Sequence, residues 1–242
     1  TNRTTGWKKD REDKRDYKYK FSAAPRVFTP VDLRPLDTPI FNQGNLGSCT
    51  ACSTTAMIRF VRKKQKFVDW KPSVLFTYYN SRMIEGTVNQ DSGAYLRDTL
   101  KSVNKYGTVN EVKWPYVISK FKTKPTAAVY TEGLKYQTIV YYSLVTQTAD
   151  ELKQCLSEGF PFVFGSLLYT SFMSSTVAQT GIVPMPDIRK EQMVGGHAIM
   201  CVGWKIIDNK EYFIIRNSWG TTWGDQGYCY IPVDYLTSKV LS

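Results

Sequence analysis

At 242 residues the chain is long enough for one large domain or two lobes, and 42% hydrophobic residues supply a real core. The formal charge is +11, from 32 Lys and Arg against 21 Asp and Glu, yet the basic residues are dispersed, so nucleic acid is not expected as a partner. No run of about 18 uncharged apolar residues is present, which excludes a membrane-spanning helix, and a single histidine, His197, rules out any site built on several imidazoles.

Residues 1–30 carry much charge and little hydrophobic period, and show no signal-peptide pattern. They are expected to be either an unanchored tail or an extension docked on the body; Trp7, Tyr17, Tyr19 and Phe21 are anchors that a solvated tail does not need. A loop rich in Gly, Asn and Gln follows over 41–48. It leads into a mostly apolar helix predicted over 49–61, with Ser48 as N-cap and Cys49 in the first turn. Arg59, Arg62, Lys63, Lys64 and Lys66 gather at the predicted end of that helix, where positive charge complements the helix dipole.

Helices are also predicted over 72–82 and 95–106, the second stopped by Gly107, and over 150–157. After Lys135 the pattern changes. Runs at 138–144, 160–168, 197–204, 212–217 and 228–231 are β-branched or aromatic and bounded by turn residues, as strands are. Helices first and strands later predict an α+β protein in three parts: the extension 1–30, a mainly helical lobe 31–137 carrying Cys49, and a mainly β lobe 138–242 carrying His197 and Asn217.

The five cysteines are an odd number and too sparse for a disulfide scaffold, which favours a reducing compartment. Cys155 and Cys201 fall in apolar runs and are expected to be buried fillers. Cys49 is different, because a thiol becomes a nucleophile only as thiolate, and a helix N-terminus and an adjacent imidazolium both favour that form. His197 supplies the imidazolium if the two lobes pack together. Asn217 can orient the ring through its amide oxygen, and Trp219 can shield that hydrogen bond. Gln43, across a Gly-rich turn, can join the Cys49 N–H in an oxyanion hole.

These pieces resemble the papain-like cysteine proteases. The matching strings are Gln43-Gly44-Asn45-Leu46-Gly47-Ser48-Cys49, Gly195-Gly196-His197-Ala198-Ile199 and Asn217-Ser218-Trp219-Gly220, with Trp114-Pro115-Tyr116 as a softer match. His197 follows Cys49 by 148 residues and Asn217 follows it by 168, near the spacing of that family.

The resemblance implies a two-lobed fold, a helical lobe plus an antiparallel β-barrel-like lobe, with the active-site cleft between them. It implies hydrolysis of peptide bonds through a thioester, with a protein or peptide as substrate, and no metal or other cofactor. Cys49 would be the nucleophile, His197 the base and then acid, Asn217 the orienter and Gln43 an oxyanion donor. Gly93 and Ala94 match a segment that bonds the substrate in strand fashion, and Gly165, Gly195 and Ala198 fall where the family builds its second subsite. Trp219 also borders the expected substrate path. A monomer is expected, with part of its own N-terminal extension in or over the cleft, as in inactive precursors of this family.

Three departures stand out. The family usually has a cysteine at the place of Leu46 and another near Asp91, forming a disulfide, and Thr50 replaces the usual aromatic after the nucleophile. The Gly-Gly-His-Ala-Ile string is similar to cathepsin B, whose dipeptide-trimming loop carries two further histidines; with one histidine that loop is not expected, so endopeptidase action is. Two alternatives remain open here: a thiol redox or zinc protein built on Cys49-Thr50-Ala51-Cys52, and a catalytically silent papain-like binding protein.

Overall fold

The computed structural model describes residues 3–11, 13–21, 28–138 and 140–242. In chain order the elements are β1 (Trp7–Lys8), β2 (Val31–Asp32), α1 (Cys49–Lys64), α2 (Val74–Glu85), β3 (Ala94–Tyr95), α3 (Leu96–Tyr106) and α4 (Ala127–Gly133). They continue with α5 (Ala149–Ser157), β4 (Phe162–Tyr169), α6 (Ser175–Thr180), β5 (Met193–Ile207), β6 (Lys210–Arg216), β7 (Tyr228–Pro232) and α7 (Val233–Thr237). Helices dominate the first half and strands the second, in the two-lobed α+β arrangement expected.

Helix α1 lies where the lobes meet, packed on α2 and α3 on one side and on β5 on the other. Its residues 49–56 are all buried, as in a helix enclosed on every side. Those positions are Cys, Thr, Ala and Ser, small enough for close approach. Buried hydroxyls return to the helix's own carbonyls: Ser53 Oγ donates to Cys49 O at 3.0 Å and Thr55 Oγ1 to Ala51 O at 2.7 Å.

Ser48 occupies the N-cap position, but its side chain makes no capping bond. Its hydroxyl instead bonds the largely buried Tyr116 hydroxyl at 2.6 Å. The first-turn N–H groups of Cys49 and Thr50 are thereby left to face the Cys49 sulfur. The basic cluster at the other end of α1 is used locally: Arg59 pairs with Asp69 at 2.7 Å, Lys63 donates to Asp37 O and Lys64 to Gly159 O.

Helix α2 is capped by Ser73, whose Oγ accepts the Phe76 N–H at 3.1 Å. Helix α3 stops at Gly107 (φ 71°), where a Cβ would lie 1.7 Å from Gly133 O, so only glycine fits.

The long strand β5 organises the second lobe. Strand β4 pairs with its first part, β2 pairs with Gly203 and Trp204, β6 pairs along 200–207 and β7 adds outside β6, all antiparallel. Val31 and Asp32 therefore belong to the sheet although helices follow them. A buried ion pair ties the sheet to the preceding loop: Arg216 Nη1 lies 2.9 Å from Asp37 Oδ1, Arg216 also donates to Thr38 O and Pro39 O, and Tyr228 OH donates to Asp37 at 2.7 Å.

The strand expected over 138–144 is not formed in the described part of that run; residue 139 lies outside the described residues. Residues around Ser143 instead receive the N-terminal extension. Ser143 N–H donates to Tyr17 O at 2.7 Å, Tyr19 N–H donates to Ser143 O at 3.1 Å, and Tyr142 packs edge-on against Tyr17 and Tyr19. The aromatic content of the run serves this docking and not a sheet ladder.

Candidate active site

Folding brings the four sequence-predicted groups to one cleft. Cys49 opens α1, His197 lies on β5 opposite Ser166 of β4, and Asn217 follows the last residue of β6. Ala198, next to His197, donates its N–H to Cys49 Sγ at 3.4 Å. His197 Nε2 lies 2.8 Å from Asn217 Oδ1. The same oxygen accepts the Ser218 N–H at 2.7 Å, so the amide must turn its oxygen to the ring. Nε2 then carries the proton and Nδ1, buried and without a hydrogen-bond partner among the described residues, holds the lone pair. Trp219 stacks on His197 with centroids 4.8 Å apart and planes at 27°, and excludes water from the His–Asn bond.

Gln43 is held from two sides by one residue that sequence reasoning did not single out. Ser218 O accepts the Gln43 N–H at 2.9 Å, and Ser218 Oγ donates to Gln43 Oε1 at 2.6 Å. The amide NH2 is thus turned away from Ser218, bonding Leu46 O at 3.0 Å and Thr4 O at 3.2 Å.

The loop before Cys49 is pinned by Tyr116 OH, which donates to Gln43 O at 2.9 Å. It is pinned again by the Asp91 carboxylate, which accepts the Gly47 N–H at 3.0 Å. Tyr78 OH donates to the same carboxylate at 2.5 Å and accepts the Gly93 N–H at 3.1 Å. At the place where the resemblance implies a disulfide, this chain has a carboxylate and a phenol joining the nucleophile loop to the 93–94 segment.

The cleft is filled by residues 3–8 of the chain itself. Gly6 accepts the Ala94 N–H at 2.8 Å and donates to Gly196 O at 3.0 Å, and Trp7 and Lys8 pair in parallel with Ala94 and Tyr95. The fit is close: a Cβ on Gly6 would lie 2.1 Å from Gly47 O, and one on Gly93 would lie 2.0 Å from Gly6 O.

Trp7 is buried with Cys49, Leu96 and Ala198, flanked by Val163 and Leu167, its ring where a Gly165 side chain would have to be. Gly195 faces Thr5 Oγ1, and Trp219 Nε1 donates to Thr4 O at 3.3 Å. All six predicted substrate-binding residues, Gly93, Ala94, Gly165, Gly195, Ala198 and Trp219, therefore touch this segment. Gly196, Leu96 and Glu85 touch it too and were not predicted; the glycine pair at 195–196 was the available signal for the first. Farther along, Arg97 holds Asp16 at 2.5 Å.

Burial governs the charges. The Cys49 thiol is pushed up to about 12 by desolvation, which outweighs the N–H groups of Ala198, Thr50 and Gly6 at the sulfur. The His197 imidazole is pushed down to about 4 by the same desolvation, only partly offset by Asn217. With the segment in place both groups are neutral.

Residues 29–238 match the sequence pattern of the papain family cysteine proteases. The chain belongs to that family and is a cysteine peptidase. It is 36% identical to an uncharacterised peptidase C1-like protein of Acanthamoeba polyphaga mimivirus, over 99% of this chain and 85% of that one. It is also 36% identical to xylellain, a cysteine protease from Xylella fastidiosa, whose crystal structure superposes with a TM-score of 0.89 over 100% of this chain and 95% of the other. The fold extends to a procathepsin B of Trypanosoma congolense at 19% identity, with a TM-score of 0.74 over 95% of this chain and 80% of that one. In the papain family setting, Cys49-x-x-Cys52 opens a peptidase helix.

Proposed function

We propose that this chain is a cysteine endopeptidase whose cleft is locked by its own residues 3–8. Cys49 attacks the scissile carbonyl, His197 Nδ1 takes the thiol proton and returns it to the leaving amine, Asn217 fixes the ring, and Gln43 Nε2 with the Cys49 N–H receives the oxyanion. The observation that carries this is the ordered set Asn217 Oδ1, His197 and Cys49, bonded at 2.8 Å and linked to the sulfur through Ala198.

The lock follows from the order of contacts along the cleft. Thr4 lies at Gln43 and Trp219, Gly6 at Cys49, and Trp7 in the Gly165 and Ala198 pocket. If that pocket takes the second residue before the scissile bond, a substrate runs from the pocket towards Trp219, and the segment runs the opposite way. The groups it sets against the sulfur include the Gly6 amide, while the Gly6 carbonyl is turned to Ala94. Five free cysteines suit a reducing compartment for this enzyme.

The Trp7 pocket also sets a substrate preference. Its walls are Gly165, Ala198, Leu96, Val163 and Leu167, and it already accommodates an indole. An opened 242-residue chain is made by Gly6→Val, Trp7→Ala and Lys8→Ala; the first cannot dock against Gly47 O, and the others remove the anchors. With a mixed peptide library, this chain is expected to cleave after sequences with an aromatic residue second before the cut, about tenfold or more over alanine there. Equal cleavage of both sets would remove the assignment of the pocket, and a dominant release of C-terminal dipeptides would contradict the endopeptidase role.

A further inference from the structure

Glu85 lies outside the catalytic set, yet its carboxylate is almost wholly buried at the edge of the cleft. It is the last residue of α2, and its side chain is only 5% exposed. Oε1 accepts the Tyr95 N–H at 2.8 Å, and Oε2 lies 2.7 Å from the Lys8 ammonium, which also sits 5.3 Å from the centre of the Tyr95 ring. A buried carboxylate is costly without a counter-charge. A ring face adds attraction for a cation. Arg82, whose charge also reaches Glu85, does not take this role; its guanidinium is committed to the carbonyls of Tyr78, Val88, Gln90 and Phe121.

Along the cleft, Lys8 lies one residue beyond the occupant of the aromatic pocket, on the side away from Gln43 and Trp219. We propose that Glu85 and Tyr95 form a cation subsite that selects Lys or Arg as the third residue before the scissile bond. The proposal rests on the peptidase role argued above. When residues 3–8 withdraw, Glu85 loses its ion pair and faces the cleft. A substrate ammonium or guanidinium at this place restores the pair, and a carboxylate is repelled. The same contact that fastens the segment in the closed chain thus reads a basic residue in the open one.

The test uses the opened chain and three peptides that share an aromatic second residue before the cut and differ at the third: lysine, norleucine or glutamate. The lysine peptide is expected to exceed norleucine in kcat/KM by about tenfold, glutamate to fall below norleucine, and the lysine preference to shrink as salt is added. Glu85→Gln keeps an oxygen for the Tyr95 N–H and removes the charge. It should bring lysine and norleucine within about twofold while leaving the norleucine rate near that of the opened chain. Equal rates for lysine and norleucine in the opened chain, or a lysine preference that survives Glu85→Gln, overturn the subsite alone. Failure to cleave any of the three peptides overturns the peptidase assignment of the cleft and the subsite with it.

Discussion

In the opened chain, iodoacetamide alkylates Cys49 at pH 7 at least about a thousandfold faster than in the unaltered protein. Only the thiolate reacts, and in the closed chain burial pushes the thiol up to about 12 and the imidazole down to about 4, so the two stay neutral across the range between. Their proton cannot move to a thiolate–imidazolium pair while the Trp7 side chain and the Gly6 amide keep water from the sulfur. Opening the cleft rehydrates both groups and leaves the first-turn N–H groups of α1 and the His197 ring to favour the anion. The closed chain should therefore show a rate that climbs about tenfold per pH unit through neutrality, and the opened chain a rate nearly flat there.

The same shifts give the sign of the pH effect on closure. His197 and Cys49 hold one proton between them in either state, as thiol and neutral imidazole when closed and as thiolate and imidazolium when opened, so this pair does not change closure with pH across neutrality. Asp10, raised above 3.8 by burial against the start of α3, favours closure in acid, a contribution lost as pH rises through the carboxylate range. Near neutrality closure should therefore change little with pH.

In the opened chain, His197→Ala is expected to lower kcat for peptide hydrolysis by about 10³–10⁴, and Gln43→Ala by about 10²–10³. His197 is the chain's only imidazole, so no neighbour can replace it in either proton transfer. Gln43 acts on the oxyanion alone, and its loss leaves the Cys49 N–H in place. The double variant should fall by less than the product of the two, since both serve one transition state. Iodoacetamide alkylation separates them: the rate at Cys49 drops with His197→Ala and is nearly unchanged with Gln43→Ala. A Gln43→Ala chain with full kcat would show that the Gln43 amide, held by Ser218 Oγ at 2.6 Å, does not serve the reaction.

Much of this site was legible in the sequence because each proposed catalytic group is tied to a local pattern. Cys49 precedes an apolar helix, His197 sits in an apolar strand run between small residues, and Asn217 ends another. Helices α1 and α3 and strands β4 to β7 follow from hydrophobic period and from stops such as Gly107, with ends shifted by a few residues. The rest depended on contacts between distant segments. Ser48 looked like a cap, but the hydroxyl of Tyr116, 68 residues away, claims it. The run 138–144 has strand-like residues, yet its partner is the extension around Tyr17 and Tyr19. Strands β1 and β3 are two residues long, too short to carry any period. Glu85 and Asp91 look like ordinary surface acids, and only the fold places one beside Lys8 and the other between Gly47 and Tyr78.

The most direct measurement is hydrolysis of a mixed peptide library, followed by mass spectrometry, by the unaltered protein, the opened chain, and the opened chain with Cys49→Ala. Internal cleavage by the opened chain at a rate at least about a hundredfold above the unaltered protein, and none with Cys49→Ala, is the predicted result. Equal rates for the unaltered and opened chains would contradict the lock, and cleavage that persists with Cys49→Ala would contradict the peptidase mechanism itself.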